Sequence, residues 1–117
     1  MVNHEQYLPE RQDLIWINFK PSVGQKIRGR YPAIVMSSAN YSRVTGLVMV
    51  MPITHGTNNR LKNFFVPLHS QKLEGYINPL QIFTFSIRKR DAQFTGEVAS
   101  TQDWAEALTI HKDILGL

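Results

Sequence analysis

The chain reads as mainly β with a C-terminal helix, a compact barrel or curled sheet capped by that helix. Three observations predict this. Short apolar runs rich in β-branched and aromatic residues alternate with Gly, Pro and Asn turns. One of them, Leu47 to Ile53, is apolar on both faces and belongs at the centre of a sheet. Only the last stretch repeats apolar residues at helical spacing.

Taken in order, residues 1–10 are polar and non-periodic, a flexible tail by composition. Asp13 to Phe19 is a buried strand, ended by Pro21 and Gly24. Gln25 to Arg30 is a polar, glycine-flanked loop. Pro32 to Met36 is a second strand, with proline at its start, where the missing N–H does least harm. Ser37 to Tyr41 is a turn, with room for a short helix before Thr45 and Gly46. After the central strand, Thr54 to Asn63 is a second polar loop in which Gly56, Asn58 and Asn59 supply turn chemistry. Asn63 to Leu68 reads as a shorter strand and Tyr76 to Ser86 as one or two more, broken at Asn78 and Pro79. Phe94 to Val98 is the last strand, after a basic cluster at Arg88, Lys89 and Arg90. Ser100, three residues before Asp103, has helix-start spacing. Trp104, Leu108, His111 and Leu115 then mark the buried face of a helix. Its Asp103, Glu106 and Asp113 turn it away from anionic ligands.

A length of 117 residues predicts a single domain over 1–117, with oligomerisation as a source of added stability at this size. The absence of cysteine excludes disulfides, thiolate metal sites and a cysteine nucleophile. No signal pattern opens the chain and no apolar run approaches a membrane span, so a cytoplasmic protein is expected. The net charge is +4, and its distribution is uneven. From Leu14 to Lys72 there is no Asp or Glu, yet eight of the thirteen basic residues lie there: Lys20, Lys26, Arg28, Arg30, Arg43, Arg60, Lys62 and Lys72. Gathered on one side, they form a face for a polyanion; spread out, they are an ordinary solvated surface.

The stretch from Val23 to Thr54 organises the functional reading. A basic loop runs through Arg28 and Arg30 into one strand, and the next ends at Thr54 and His55. Two loops leaving adjacent strands bring arginines near a threonine and a histidine, a combination suited to phosphate. Metal chemistry is disfavoured: Asp13 and Glu74 are isolated, and His4, His55, His69 and His111 lack ligand spacing.

At these residues the sequence resembles the MazF/PemK toxins of bacterial toxin–antitoxin systems. The resemblance is carried by Asp13-Leu14-Ile15-Trp16 with Phe19 and Pro21, Gly29, Pro32-Ala33-Ile34-Val35, Tyr41, Thr45-Gly46, Pro52-Ile53-Thr54, Gly75 and Gln81. It implies an SH3-like, plasmid-maintenance-toxin barrel of the MazF/CcdB type and a homodimer. It also implies metal-independent endoribonuclease activity on single-stranded mRNA, needing no cofactor and leaving a 2′,3′-cyclic phosphate and a 5′-hydroxyl. The implied partner is a cognate antitoxin with an acidic C-terminal tail, with DNA binding in complex with that antitoxin. The family pairs an arginine directly before the Pro-Ala strand with a threonine or serine that Thr54 matches. Here Tyr31 precedes Pro32, with Arg30 and Arg28 immediately upstream. Either Arg30 takes the role by a shift of register, the reading favoured here, or Tyr31 acts through its hydroxyl, or the activity is altered. The loop carboxylate common in the family is replaced by Lys26.

Cyclising cleavage must deprotonate the 2′-hydroxyl, stabilise charge on phosphorus and protonate the leaving 5′-oxygen. Arg30 or Arg28 suits the charge, Thr54 can donate a hydrogen bond, and His55 is either a proton carrier or a loop imidazole bonded to backbone. Further RNA-binding candidates are Gln25, Lys26, Ser37, Asn58, Asn59, Arg60, Gln81 and Arg88, although turn formation also accounts for the asparagines. Trp16, Phe19 and Trp104 are read as core. The alternatives are a gyrase-directed, CcdB-like toxin of the same fold and a barrel that binds RNA without cutting it. The ending Ile114-Leu115-Gly116-Leu117 does not match the Trp-Gly-Ile ending of the gyrase poisons.

Overall fold

The computed structural model describes residues 6–20, 29–55 and 60–117. Among them run seven strands: β1 (Asp13–Asn18), β2 (Arg30–Val35), β3 (Leu47–Thr54), β4 (Val66–Pro67), β5 (Tyr76–Ile77), β6 (Phe83–Ser86) and β7 (Gln93–Val98). Helix α1 (Ala39–Thr45) joins β2 to β3, and α2 (Thr101–Ile114) follows β7. The strands form one curled sheet in the order β4-β5-β3-β2-β1-β7, with β6 also paired to β3. The doubly apolar β3 is central as expected, with β2, β5 and β6 all as neighbours.

Alternation along the strands builds two cores, one on each face. Leu14, Ile34, Met51, Ile53 and Ile77 fill one, under α2 and the turn that follows β4. Ile15, Ile17, Ala33, Val35, Val48, Val50 and Phe85 fill the other. Burial on both faces explains why the strands read as continuous apolar runs. Helix α1 starts at Ser38, whose Oγ accepts from Tyr41 N, and ends at Gly46 in the left-handed region at φ 73°.

Three expectations need correction. The chain from Tyr7 to Glu10 is not a loose tail: Tyr7 donates its hydroxyl hydrogen bond to Asp13, stacks on Phe94 at 5.6 Å, and Pro9 is fully buried. Burial first, then the neighbouring Asp13 carboxylate, pushes the Tyr7 phenol well above its usual range. The strand expected from Asn63 shrinks to Val66–Pro67, because Lys62–Phe64 forms a 3-10 turn. On α2 the most buried positions are Asp103 and Ala107, while Leu115 lies past the helix and is exposed.

Asp103 is buried because it is a connector. Beyond its place in the first turn, where its N–H donates to Ser100 Oγ, it accepts from the backbone N–H of His69 at 2.8 Å and meets His69 Nδ1 at 2.9 Å. The hydrogen bond first, then the charge of Asp103, raises the His69 pKa above that of free imidazole. A raised pKa in the folded state stabilises most below the unfolded value of about 6.5 and is lost as pH rises through the folded value. His69→Gln is therefore expected to lower Tm at pH 5.5 and to change it far less at pH 9, as followed by circular dichroism.

Candidate active site

The cleft is made where β2 and β3 part company. Their ladder pairs Val35 with Val50, Ile34 with Met51 and Ala33 with Pro52, and goes no further. Met36 N bonds Met49 O, so alternation makes Pro32 opposite Ile53 the next pair that should exchange two hydrogen bonds. Proline has no N–H to give. Beyond it, β2 is held by β1 through Tyr31–Ile17 and Arg30–Asn18, and β3 is held by β5 through Ile53–Ile77 and Thr54–Tyr76. A cavity of about 1000 Å³ lies at this fork.

Its walls collect much of the chemistry the sequence singled out. Arg30, Tyr31 and Pro32 come from β2; Pro52, Ile53, Thr54 and His55 come from β3 and its end. Gln81 and Asn78 line it after β5, and the segment Gln71 to Glu74 closes one side. Tyr31 is 53% exposed, with its ring edge-on to Phe19 at 6.0 Å. Phe19 in turn sits edge-on to Phe83 and Phe85, each at 5.3 Å, so the Tyr31 ring leans on a fixed aromatic cluster.

Strand alternation separates the two candidates before the proline. Ala33 opposes Pro52, so Tyr31, two residues back, lies on the same face as Thr54, two residues on. Arg30 lies on the other face, where Nη1 donates to Asn18 Oδ1 at 3.2 Å and Asp91 O at 3.0 Å and pairs with Asp91 Oδ2 at 3.5 Å. Its Nη2 is buried with no hydrogen-bond partner among the described residues, while the residue itself lines the cleft. Both arms of the fork line the cleft, Tyr31 and Thr54 from one face and Arg30 from the other.

Gly75 allows the tight closure beside Thr54. It holds φ at 140°, and a Cβ there would stand 2.8 Å from the Thr54 carbonyl oxygen. Gly75 thus lets the 69–74 segment approach the end of β3.

Comparison with known proteins places this geometry. The family described as "PemK-like, MazF-like toxin of type II toxin-antitoxin system" matches residues 10–111. The chain belongs to the PemK/MazF toxin family. It is 34% identical to the endoribonuclease toxin MazF of Escherichia coli (strain K12) over 80% of this chain and 83% of that protein. It is 32% identical to the endoribonuclease toxin ChpB of the same organism, over 85% and 86%. The crystal structure of MazF from Deinococcus radiodurans superposes with a TM-score of 0.81 at 30% identity, covering 95% of this chain and 99% of that one. A MazE-MazF crystal structure from the same organism gives 0.79 at 28% identity, covering 95% and 98%. The sheet and C-terminal helix expected from the resemblance are those of this MazF-type fold.

Within this MazF-type site some candidates stand apart. Ser37 lies away from the cleft, its Oγ accepting from Met49 N at 2.9 Å to tie the exit of β2 to β3. Arg88 is exposed in the turn after β6, and its neighbour Arg90 folds back over Phe85 and donates to Phe19 O at 2.9 Å. Arg60 sits in a turn and is not among the cleft residues described. Gln25, Lys26, Arg28, Asn58 and Asn59 fall outside the described residues. Trp16, read from sequence as core, lines the cleft instead and is 37% exposed, while Phe19 packs on the core as read and also lines the cleft. A strand apolar on both faces hides this, because the fork that exposes Trp16 depends on β3 turning toward β5.

Proposed function

We propose that this chain is the toxin of a type II toxin–antitoxin system and acts as an endoribonuclease on single-stranded mRNA in the cytoplasm. Membership of a family whose relatives are named endoribonuclease toxins supports it. The single observation carrying the mechanism is the fork that sets Tyr31, Thr54, Arg30 and His55 around one cleft. Thr54 and Tyr31 hydroxyls donate to the non-bridging oxygens of the scissile phosphate from one side. Arg30, from the cleft wall, meets the charge that builds on phosphorus. His55, at the cleft edge, takes the 2′-hydroxyl proton or returns one to the 5′-oxygen. The products are a 2′,3′-cyclic phosphate and a 5′-hydroxyl.

The partner is an antitoxin whose acidic segment occupies the cationic cleft and competes with RNA, and the toxin acts as a homodimer. The matching of MazE-MazF structures supports a partner of this kind. The deciding experiment is incubation of the protein with a long unstructured RNA in excess EDTA. The expected result is discrete fragments with 5′-hydroxyl ends, at a rate unchanged by EDTA. Intact RNA under conditions of binding replaces this reading with the non-cleaving barrel.

A further inference from the structure

Between β4 and β5 the turn 69–74 forms a wall of the cleft, yet it takes its shape from carboxylates outside the cleft. At its start, Asp103 of α2 holds His69 by backbone and ring. At its middle, Glu97 of β7 accepts from Ser70 Oγ at 2.6 Å, Gln71 N at 2.9 Å and Lys72 N at 3.3 Å. Ser70 Oγ passes the constraint on by accepting from Leu73 N at 3.1 Å. These donors, the Ser70 hydroxyl first, hold the Glu97 carboxyl below the usual carboxylate range. The arrangement orders a run of backbone that a solvated turn would leave variable, and that backbone carries Gln71, Lys72, Leu73 and Glu74 into the cleft lining.

Lys72 gives the constraint a purpose. With Arg30 it is one of two Lys or Arg residues among the described lining residues, and the two belong to different walls. Lys72 Nζ lies beside β7, 3.5 Å from where a Cβ on Gly96 would stand, an ordinary contact distance, and its charge adds to the lowering of the Glu97 carboxyl. A single-stranded RNA crossing the fork carries a phosphate at every nucleotide. A second cation in the lining gives a place for a phosphate flanking the scissile one.

We infer that Glu97 is a positioning residue for RNA binding: it fixes the 69–74 turn so that Lys72 meets a backbone phosphate flanking the scissile one. This rests on the ribonuclease reading above. The test uses a short RNA spanning a cut mapped with wild-type protein, carrying a 2′-deoxy nucleotide at the cut so that it binds without reacting. Affinity is measured against salt for wild type, Lys72→Gln, Glu97→Gln and the double variant. Removing one lysine–phosphate pairing lowers the steepness of log K against log salt by about 0.7 for a single strand. Lys72→Gln is expected to show that decrease. Glu97→Gln is expected to show the same decrease with Kd raised about tenfold, kcat at saturation changed less than threefold, and no further change on adding Lys72→Gln. Ser70→Ala, which removes the hydroxyl but no charge, is expected to move in the same direction and guards against a folding defect in Glu97→Gln. A wild-type slope in both Glu97→Gln and Ser70→Ala overturns the positioning role while leaving the nuclease intact. Failure of wild type to bind or cut any RNA overturns the ribonuclease reading and this inference with it.

Discussion

Thr54→Ala is expected to lower the cleavage rate by about 10²–10³ without lowering Tm by more than a few degrees. The size follows from removing one preorganised donor from a phosphate site. The side chain lies on the same face as Tyr31 at the end of a central strand, and the strand itself is held by the β5 pairing, which the substitution leaves in place. The neighbouring variants locate the charge. Arg30→Ala is expected to lose about 10² in rate. Because Arg30 also ties down Asn18 and Asp91, Asp91→Ala serves as the control: it removes the ion pair and the long bonds from Gln93 Nε2, keeps the backbone acceptor for Arg30, and is expected to keep the rate within a few-fold. Tyr31→Phe keeps the ring against Phe19 and removes only the hydroxyl, so a loss of about tenfold or more assigns that hydroxyl to the phosphate. A Thr54→Ala protein that cuts at the wild-type rate sinks this assignment of the site.

Gly75→Ala is expected to destabilise the fold by about 3 kcal/mol, read as a shift of the urea midpoint at unchanged slope. Two costs add. An alanine at φ 140° occupies a region L-residues rarely enter, and its Cβ would stand 2.8 Å from the Thr54 carbonyl oxygen. Backbone is the contacted group, so relief requires moving the end of β3 or the 69–74 turn. Either movement displaces a cleft wall, and activity should fall by more than the loss of folded protein explains. Unchanged midpoint and activity would show that the two segments are not tightly apposed.

These expectations show how far residues alone carry the site. Pro52-Ile53-Thr54-His55 at the end of a doubly apolar strand pointed to phosphate chemistry, and Thr54 and His55 do line the cleft. The order of Arg30, Tyr31 and Pro32 left the choice between arginine and tyrosine open. It needed the register Ala33–Pro52 to show that Tyr31, not Arg30, shares a face with Thr54. Lys72 counted only as one of eight basic residues of an acid-free stretch, and nothing local marked Gln71. They reach the cleft only through Glu97, twenty-five residues further along in the case of Lys72.

By itself the sequence determined the strands with their apolar runs, the central place of β3, the Ser100 start of α2, a proline without an N–H near the start of β2, and the family likeness. All of these depend on local chemistry: side-chain branching, caps and a missing N–H. Only the tertiary structure decided that the ladder stops there because β3 has β5 to turn to, that Trp16 is thereby uncovered, and that two carboxylates from the C-terminal part shape the opposite wall. Those depend on pairings between distant segments, and a one-residue change of register would send each side chain to the other face.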